Sequence, residues 1–350
     1  FANGDERYIF RNRHQEVSAR YVRSFGDPEE VLHRLSAGYG YVSDAFSEAD
    51  LQDFADANVD PGSVSQDPAL LAEDRTFSGP FVVYDRIQAE FISINYVDRF
   101  ERIEDFNLGP QSSVRLQFAP EFLDSTDDVV LFTASQNGGH QFSPTAFIRG
   151  EVGAASRIGD FGFQDSIIRT EAKYYNVLGI KYLGPLFIGK HTLAANFSFE
   201  YGEDFDKDRE LLLGATNGLR GYEDRTFTGN KRVVLNVEDR FHLFENVFKL
   251  FSIGGAVFAD AGGSTFRPVG RLFSNEIYGD VGFGLRLGFP RASGSGVIRI
   301  DLAFPLRNGP DGSGVLEPRL FISTGQLFTG RLLSERVGAE QANVSVGQNR

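Results

Sequence analysis

The clearest pattern in the chain is an alternation with a period of two residues, best seen in Val297-Ile298-Arg299-Ile300-Asp301-Leu302-Ala303-Phe304-Pro305-Leu306. The apolar side chains of this stretch share one face, and its two charged residues, Arg299 and Asp301, share the other. The same alternation recurs over residues 278–287 and 231–241. A period of two is that of a β-strand with two different faces. The pattern therefore predicts an all-β protein.

Most of the chain is predicted to form strands that follow one another as hairpins. Thirteen strands are expected, over residues 13–25, 30–45, 81–99, 109–121, 127–141, 145–158, 164–178, 186–200, 230–243, 247–260, 276–289, 295–306 and 315–328, with Glu6–Phe10 as the remnant of a fourteenth. Soluble strands peak near about 5–6 residues, whereas most of these exceed the roughly 9–11 that cross a bilayer when tilted. We therefore predict a transmembrane antiparallel β-barrel. A soluble β-sandwich, whose charged faces meet water, is the alternative.

The composition excludes several classes of protein. The 350 residues include no Cys, which rules out a disulfide scaffold, an iron–sulfur cluster, a thiol nucleophile and a Cys-based zinc site. The five His lack metal-ligand spacing, so we expect no metal and no cofactor. A formal charge of −13 argues against nucleic acid as a partner. No apolar run approaches the roughly 18 residues of a transmembrane helix.

Short and long connections are expected to alternate, as periplasmic turns and external loops do in outer-membrane barrels. Ser143-Pro144, Glu245-Asn246 and Ala292–Gly294 are predicted short turns. The long connections are residues 47–79, 202–230 and 262–275. Within the first, Ser47 and Asp50 resemble a capping box ahead of a short helix with Leu51, Phe54 and Ala55 on its apolar side. The acidic residues of this loop indicate either a solvated surface or, without DxDxDG spacing in support, a calcium site.

Five segments near the carboxyl end carry a family resemblance. The connection over residues 202–230, here called the lumen loop, contains Leu219-Arg220-Gly221-Tyr222. It is followed by Glu238-Asp239-Arg240-Phe241, by Phe258-Ala259-Asp260-Ala261-Gly262, by Gly282–Pro290 with Gly-Phe-Gly-Leu-Arg, and by Gly296–Leu306. These segments resemble, in order, the (V/L)-R-G-(F/Y) loop tip, E-x-R, F-x-D-x-G, G-x-G-x-R…P and G-x-(I/L)-R-x-D…P-L of the Omp85 superfamily of outer-membrane barrels. A final strand ending in an aromatic residue follows, and five predicted strands come after the loop, as the family requires.

The resemblance implies roles for individual residues. The lumen loop would fold into the barrel, where Arg220 would bind Glu238 and Asp260, with Gly221 and Tyr222 completing the tip; we call Arg220, Glu238 and Asp260 the lumen-loop lock. Glu238 lies on the polar face of its strand, whereas Asp260 is placed inward by resemblance because Phe258 shares its face. The alternative is that these three residues only stabilise folding. Four further charges are expected to face the lumen, either filling it or binding a specific ligand: Arg240, Arg286, Arg299 and Asp301. Gly325 and Phe328 would belong to the closing-strand signal.

The resemblance also implies a location, partners and a function. It implies the outer membrane of a Gram-negative bacterium, with partners among outer-membrane lipids including lipopolysaccharide, unfolded barrel or secreted polypeptides, and periplasmic or lipoprotein subunits. A non-enzymatic barrel of the BamA, TamA or FhaC type that inserts membrane proteins or exports polypeptides is the first hypothesis. A barrel that anchors or exports a fused upstream domain, such as a patatin-like lipase, is the second, and a passive pore is the third.

The sequence departs from the family pattern at both ends. The family barrel has sixteen strands, so we expect two or three to be absent at the amino end of the barrel region, residues 1–328. The periplasmic POTRA domains of other family members are not visible. Residues 329–350 form a polar tail after the closing strand, which in the family normally ends the chain.

Overall fold

A computed structural model describes residues 8–56, 59–65, 67–100, 102–289 and 296–329. Most of them lie in one antiparallel sheet of thirteen strands. In chain order the strands of this sheet are β1 (Phe10–Gly26), β2 (Val31–Glu48), β3 (Arg75–Gln88), β6 (Gln111–Ala119), β7 (Val129–Ser143), β8 (Ala146–Gly159), β9 (Gly162–Leu183), β10 (Leu186–Glu203), β11 (Lys231–Val247), β12 (Phe251–Thr265), β13 (Tyr278–Gly288), β14 (Val297–Pro305) and β15 (Arg319–Thr324). Two more strands, β4 (Phe91–Asn95) and β5 (Ile103–Asn107), pair only with each other. The antiparallel barrel architecture and the thirteen strands are confirmed.

The sheet is turned inside out relative to a soluble protein. On β13, Val281, Phe283 and Leu285 are exposed, whereas Asp280 and Arg286 are buried. β14 continues the pattern with buried Arg299 and Asp301. An apolar outer face over a polar interior is the signature of a barrel that faces lipid. This arrangement rules out the soluble sandwich, in which the charged face would meet water.

The sheet curls until distant strands face each other across its concave side, but it does not close on itself. Arg75 on β3 contacts Asp208, which follows β10, and Arg240 on β11 contacts residues that follow β4. Within the described residues, β1 pairs only with β2, and β15 pairs only with β14. The concave side is therefore a lumen whose wall has two free edges.

The connections differ in length between the two ends of the sheet. Long ones join the strands at one end, the long-loop end, where residues 49–74, 204–230, 266–277 and 306–318 lie. The short-turn end holds the tight turns 27–30, 144–145, 184–185 and 248–250. Two connections are exceptions, since the two-residue turn 160–161 lies at the long-loop end and the long connection 89–110 lies at the short-turn end. The predicted turn at Ser143-Pro144 is shifted by one residue, whereas Glu245-Asn246 lies inside β11, which runs to Val247. The predicted turn Ala292–Gly294 lies outside the described residues.

The predicted bounds of two strands were wrong. The strand predicted over 81–99 is β3, which ends at Gln88, followed by β4. We call β4, β5 and the described residues between them the inner hairpin; it leaves the short-turn end and folds into the lumen. The strand predicted over 315–328 is β15, which ends at Thr324 because Gly325 adopts a φ of 80° and turns the chain inward. Of the predicted fourteenth strand, Phe10 begins β1, Tyr8 forms an isolated bridge with Ser65, and residues 6 and 7 lie outside the described part of the chain.

The acidic loop at the long-loop end uses its carboxylates as caps. Helix α1 (Leu51–Asp56) begins after Asp50, whose carboxylate accepts from the backbone N–H groups of Gln52 and Asp53 at 2.9 and 3.1 Å. The capping pair is therefore Asp50 and Asp53, since the Asp50 N–H donates to the Asp53 carboxylate at 2.7 Å. The prediction of Ser47 as the cap was wrong because β2 extends through it. Phe54 is buried, but Leu51 and Ala55 are exposed, contrary to prediction.

A second helix, α2 (Val269–Asn275), lies between β12 and β13. Neither helix, nor any other helical turn in the described ranges, combines the length and the apolar character needed to cross a membrane.

Candidate functional site

The lumen loop folds back into the sheet and is organised before it meets the wall. β10 runs to Glu203, so the loop proper spans residues 204–230. Leu213 and Phe227 exchange backbone hydrogen bonds of 2.8 and 3.0 Å, which closes the tip into a compact unit. Within it, the N–H of Gly214 donates to the side chain of Asn217 at 2.8 Å. A buried apolar cluster anchors this unit to β11; it contains Leu213, Leu219, Tyr222, Phe227 and Val234.

Arg220 is fully buried at the end of this tip and is surrounded by carboxylates. Its Nε and Nη2 donate to both oxygens of Asp260 at 2.7 and 2.8 Å, and its Nη1 donates to Glu238 at 2.5 Å. Asp301 lies 3.5 Å from the same Nη1. Bidentate pairing to a carboxylate fixes the orientation of a guanidinium as well as its position. The structure thus brings together the three residues of the lumen-loop lock, and their functional role remains a prediction.

Neighbouring side chains hold the lock in place. The guanidinium carbon of Arg220 lies 3.4 Å from the ring centroid of Phe258, a cation–π contact that explains why Phe258 and Asp260 both face inward. The amide of Asn236 donates to Asp260 at 2.8 Å and to the carbonyl of Gly218 at 2.7 Å. The sequence pattern assigned no role to Phe258 or Asn236. Their spacing was the available signal: Asn236 lies two residues before Glu238 on β11, and Phe258 lies two residues before Asp260 on β12, so each shares the inward face of its neighbour.

The four other predicted lumen charges are also buried on the concave face. Arg286 donates to one oxygen of Asp301, whose other oxygen faces Arg220. Arg299 stacks over the ring of Phe321 at 5.1 Å. Arg240 donates through Nε to Glu238 at 2.8 Å. These contacts form one ionic network with the lumen-loop lock, which supports the lumen-filling interpretation. Among the described residues, no group of His, Asp or Glu is arranged to hold a metal ion.

Gly221 and Tyr222 fit the tip against the wall. A Cβ at Gly221 would lie 2.6 Å from the Cβ of Asp280 and 3.1 Å from the backbone nitrogen of Pro305, so only glycine allows this approach. The Tyr222 hydroxyl donates toward the carbonyls of Gly279 and Arg307 at 3.1 and 2.9 Å. Burial, together with the charge of Asp280, raises the pKa of Tyr222 to about 12. The Tyr222 hydroxyl therefore keeps its proton and acts as a hydrogen-bond donor to these carbonyls.

A second set of ion pairs, which the sequence did not predict, ties the first part of the lumen loop to the opposite wall. Arg75 on β3 binds both oxygens of Asp208 at 2.8 and 2.7 Å. Arg157 on β8 binds both oxygens of Asp206 at 2.8 Å. Burial alone would raise the pKa of Asp206, but Arg157 and Arg75 more than offset it and hold the pKa below its usual range. We call these four residues the outer clamp; it carries the loop across the long-loop end.

The whole barrel region matches a known family. The Omp85 superfamily domain matches residues 10–328, which covers both the sheet and the lumen loop. The chain belongs to the Omp85 superfamily. Omp85 proteins reside in bacterial outer membranes, where they insert membrane proteins or export polypeptides rather than catalyse reactions. Comparison with curated proteins gives no match.

The closing-strand residues of this Omp85 barrel occupy an unexpected place. Gly325 makes the inward turn after β15, and Phe328 is buried in the lumen rather than placed on the outer face. Its ring packs in a cluster at the short-turn end with Val97, Phe106, Leu108, Phe147, Tyr175 and Ala194. Two members of this cluster lie on the inner hairpin, which the sequence analysis did not predict. The aromatic ending of the last strand is therefore used for packing inside the barrel.

Proposed function

We propose that this protein is an outer-membrane assembly or translocation barrel of a Gram-negative bacterium, which inserts outer-membrane proteins or exports a polypeptide. The observation that carries the proposal is Arg220, fully buried in the lumen at the end of a loop that starts at the long-loop end and held by Glu238 and Asp260. A loop held inside the lumen blocks a permanent pore. Transport of a polypeptide then requires either regulated release of the lumen loop or a route along the barrel wall.

In this proposal the outer edge of β15 supplies that route. β15 has only six residues, and its outer edge is unpaired among the described residues. An unpaired edge offers backbone N–H and C=O groups to an incoming strand. The partners we propose are therefore unfolded barrel proteins or secreted polypeptides, together with lipids such as lipopolysaccharide around the wall and accessory periplasmic subunits or lipoproteins.

Reconstitution tests the proposal. The full chain would be placed in liposomes and given an unfolded outer-membrane barrel or, separately, an unfolded secreted polypeptide. Acquisition of the heat-resistant folded form by the barrel would support assembly, and protection of the polypeptide from added protease would support export. Arg220→Ala should reduce either signal, whereas Arg271→Ala, at an exposed position on α2, should not. Failure of the parent chain to promote either event, combined with a steady conductance that Arg220→Ala leaves unchanged, would favour a passive pore instead.

A further inference from the structure

The inner hairpin reaches across the lumen at the short-turn end. It arises from the connection between β3 and β6, yet the residues between its strands contact β10, β11, β12 and β13. The Thr192 hydroxyl donates to the carbonyl of Tyr96 at 2.9 Å, and the Lys190 ammonium donates to the Tyr96 hydroxyl at 2.7 Å. The hairpin is therefore held on the wall opposite to its origin.

Two apolar residues of the inner hairpin pack closely inside the lumen. Val97 is buried in the cluster at the short-turn end that also contains Phe328. Phe100 packs edge-on against His242, with ring centroids 4.5 Å apart. It lies over Gly254 and Gly288, where a Cβ at Gly288 would come within 2.8 Å of Cγ of Phe100. Glycine in a strand interior marks close approach by another part of the chain, and here that part is the inner hairpin.

Arg240 connects the inner hairpin to the lumen-loop lock. Its Nε donates to Glu238 at 2.8 Å, and the other oxygen of that carboxylate binds Arg220. Its Nη1 donates to the carbonyl of Val97 at 2.9 Å, and its Nη2 donates to the carbonyl of Phe328 at 2.9 Å. The rigid fork of one guanidinium thus joins the lock, the hairpin and the end of the last strand.

We propose that the inner hairpin is a second plug of the lumen, and that Arg240 is the positioning residue that couples its docking to the lumen-loop lock and to the inward turn after β15. The lumen loop closes the long-loop end, and the inner hairpin closes the short-turn end. Glu238 is held at one oxygen by Arg220 and at the other by Arg240, so loss of either arginine frees one oxygen and lets the carboxylate leave the position in which it orients the other arginine. This proposal goes beyond the proposed function and does not depend on which polypeptide is transported.

Thiol labelling tests the coupling, because the chain contains no Cys. Val97→Cys places one buried thiol on the inner hairpin of the full chain in lipid bilayers. Adding Arg240→Ala or Arg220→Ala should raise its labelling rate by a membrane-impermeant methanethiosulfonate by about tenfold or more, since local opening then costs less. Arg115→Ala is the matched control, because it removes a different, partly buried arginine, on β6, that binds Gln117 instead, and it should change the rate by less than about twofold. An unchanged rate in folded Arg240→Ala protein would overturn the coupling.

A conductance measurement tests the plug itself, and it does not require that Arg240→Ala folds. The N–H of Leu108 donates to the carbonyl of Glu90 at 2.8 Å, so residues 91–107 can be replaced by a two-residue turn without opening the sheet. This variant should show a larger single-channel conductance than the parent, and an equal conductance would overturn the plug.

A reversible tether separates hairpin movement from general loosening. Phe100→Cys with Gly288→Cys should form a disulfide in the parent chain, because a Cβ at position 288 would lie 2.8 Å from Cγ of Phe100, close to where a sulfur at position 100 would lie. In Arg240→Lys, which keeps the positive charge but lacks the fork, conductance should rise only when this disulfide is reduced. A rise that persists in the oxidised protein would assign the effect to another part of the lumen and contradict the proposal.

Discussion

At the scale of single residues, the lumen depends on a few arginines that each serve several carboxylates. Arg220 meets Asp260, Glu238 and Asp301, and Glu238 in turn meets Arg240. Desolvating such charges is expensive, so the network is stable only when every charge has a partner. Removing one arginine therefore costs more than forming the pair contributes.

The first prediction concerns Arg220→Ala. It leaves Asp260 and Glu238 buried with fewer partners, which we expect to cost about 3–5 kcal/mol. The temperature at which the folded barrel loses its characteristic gel mobility should fall. The transition temperature of Arg220→Lys should lie between those of Arg220→Ala and the parent, because an ammonium keeps the positive charge but lacks the forked geometry of the guanidinium. Arg271→Ala, on the exposed surface of α2, is the control, and a transition in Arg220→Ala that matches this control would contradict the lock.

Much of this residue-scale arrangement followed from the sequence, because the motif residues alternate on strands whose register was predictable. Glu238, Arg240 and Asp301 face the lumen as expected from the period of two. Asp260 could be placed inward only by resemblance, since an apolar neighbour, Phe258, shares its face. The contact between that ring and Arg220 resolves the conflict, and no periodicity argument contains it.

At the scale of elements, the lumen is filled by two segments that enter from opposite ends. The lumen loop was predictable because its motif and composition differ from those of other connections. The inner hairpin was not, since residues 81–99 were predicted as one continuous strand. The break after Gln88 depends on tertiary contacts, such as that between Phe100 and His242, which override local β-propensity.

The second prediction concerns the outer clamp. Arg75→Ala leaves the buried Asp208 without its bidentate partner, so the first part of the lumen loop should detach from β3. Lys207 is half exposed and lies next to Asp208, so trypsin should cut there faster in the variant. Arg11→Ala removes an exposed ion pair with Asp50 at the same end, a kind of pair worth about 0–1 kcal/mol, and should not change the cutting rate. Equal cutting in both variants would mean that the clamp does not hold the loop.

The third prediction concerns the pH dependence of the inner hairpin. Burial, and next the charge of Asp98, raises the pKa of Glu104 from its usual value to about 7, although its carboxylate accepts from the N–H groups of Asp98 and Arg99 at 2.9 and 3.2 Å. Glu104 binds its proton more tightly when the inner hairpin is docked. Its protonation therefore stabilises docking fully below the undocked pKa of 4.5, and this stabilisation is lost as pH rises through about 7.

Labelling of Val97→Cys, divided by labelling of the exposed Ser274→Cys to correct for thiol ionisation, should therefore rise between about pH 5 and about pH 8. The size of the effect is of the order of 1–3 kcal/mol at most. Glu104→Gln has nearly the same shape but no titration, so its ratio should stay flat over that range. Parallel slopes in the two proteins would show that another group controls the docking.

At the scale of the whole molecule, one chain builds an apolar outer surface, a charged interior and plugs at both ends. Among the described residues, its sheet stays open between β1 and β15. The strand number and the inverted polarity were predictable because long alternating strands leave few other solutions. The open edge was predictable only as a strand count below the family's sixteen. The inward turn at Gly325 was not predictable, because the sequence pattern of a final strand with an aromatic end is the same for a straight and for a bent chain.

The fourth prediction tests whether the outer surface meets lipid. Phe283 lies near the middle of β13 and is exposed on the convex face, whereas Arg286 on the same strand is buried in the lumen. An arginine at the middle of the lipid-facing wall costs about 2–4 kcal/mol, so Phe283→Arg should fold into lipid vesicles with a lower urea midpoint and a lower yield. Phe283→Leu preserves the apolar contact and should behave as the parent does. If Phe283→Arg matched Phe283→Leu, this part of the wall would have to face water or protein, because hydrated surroundings are the condition under which a guanidinium at this position carries no penalty.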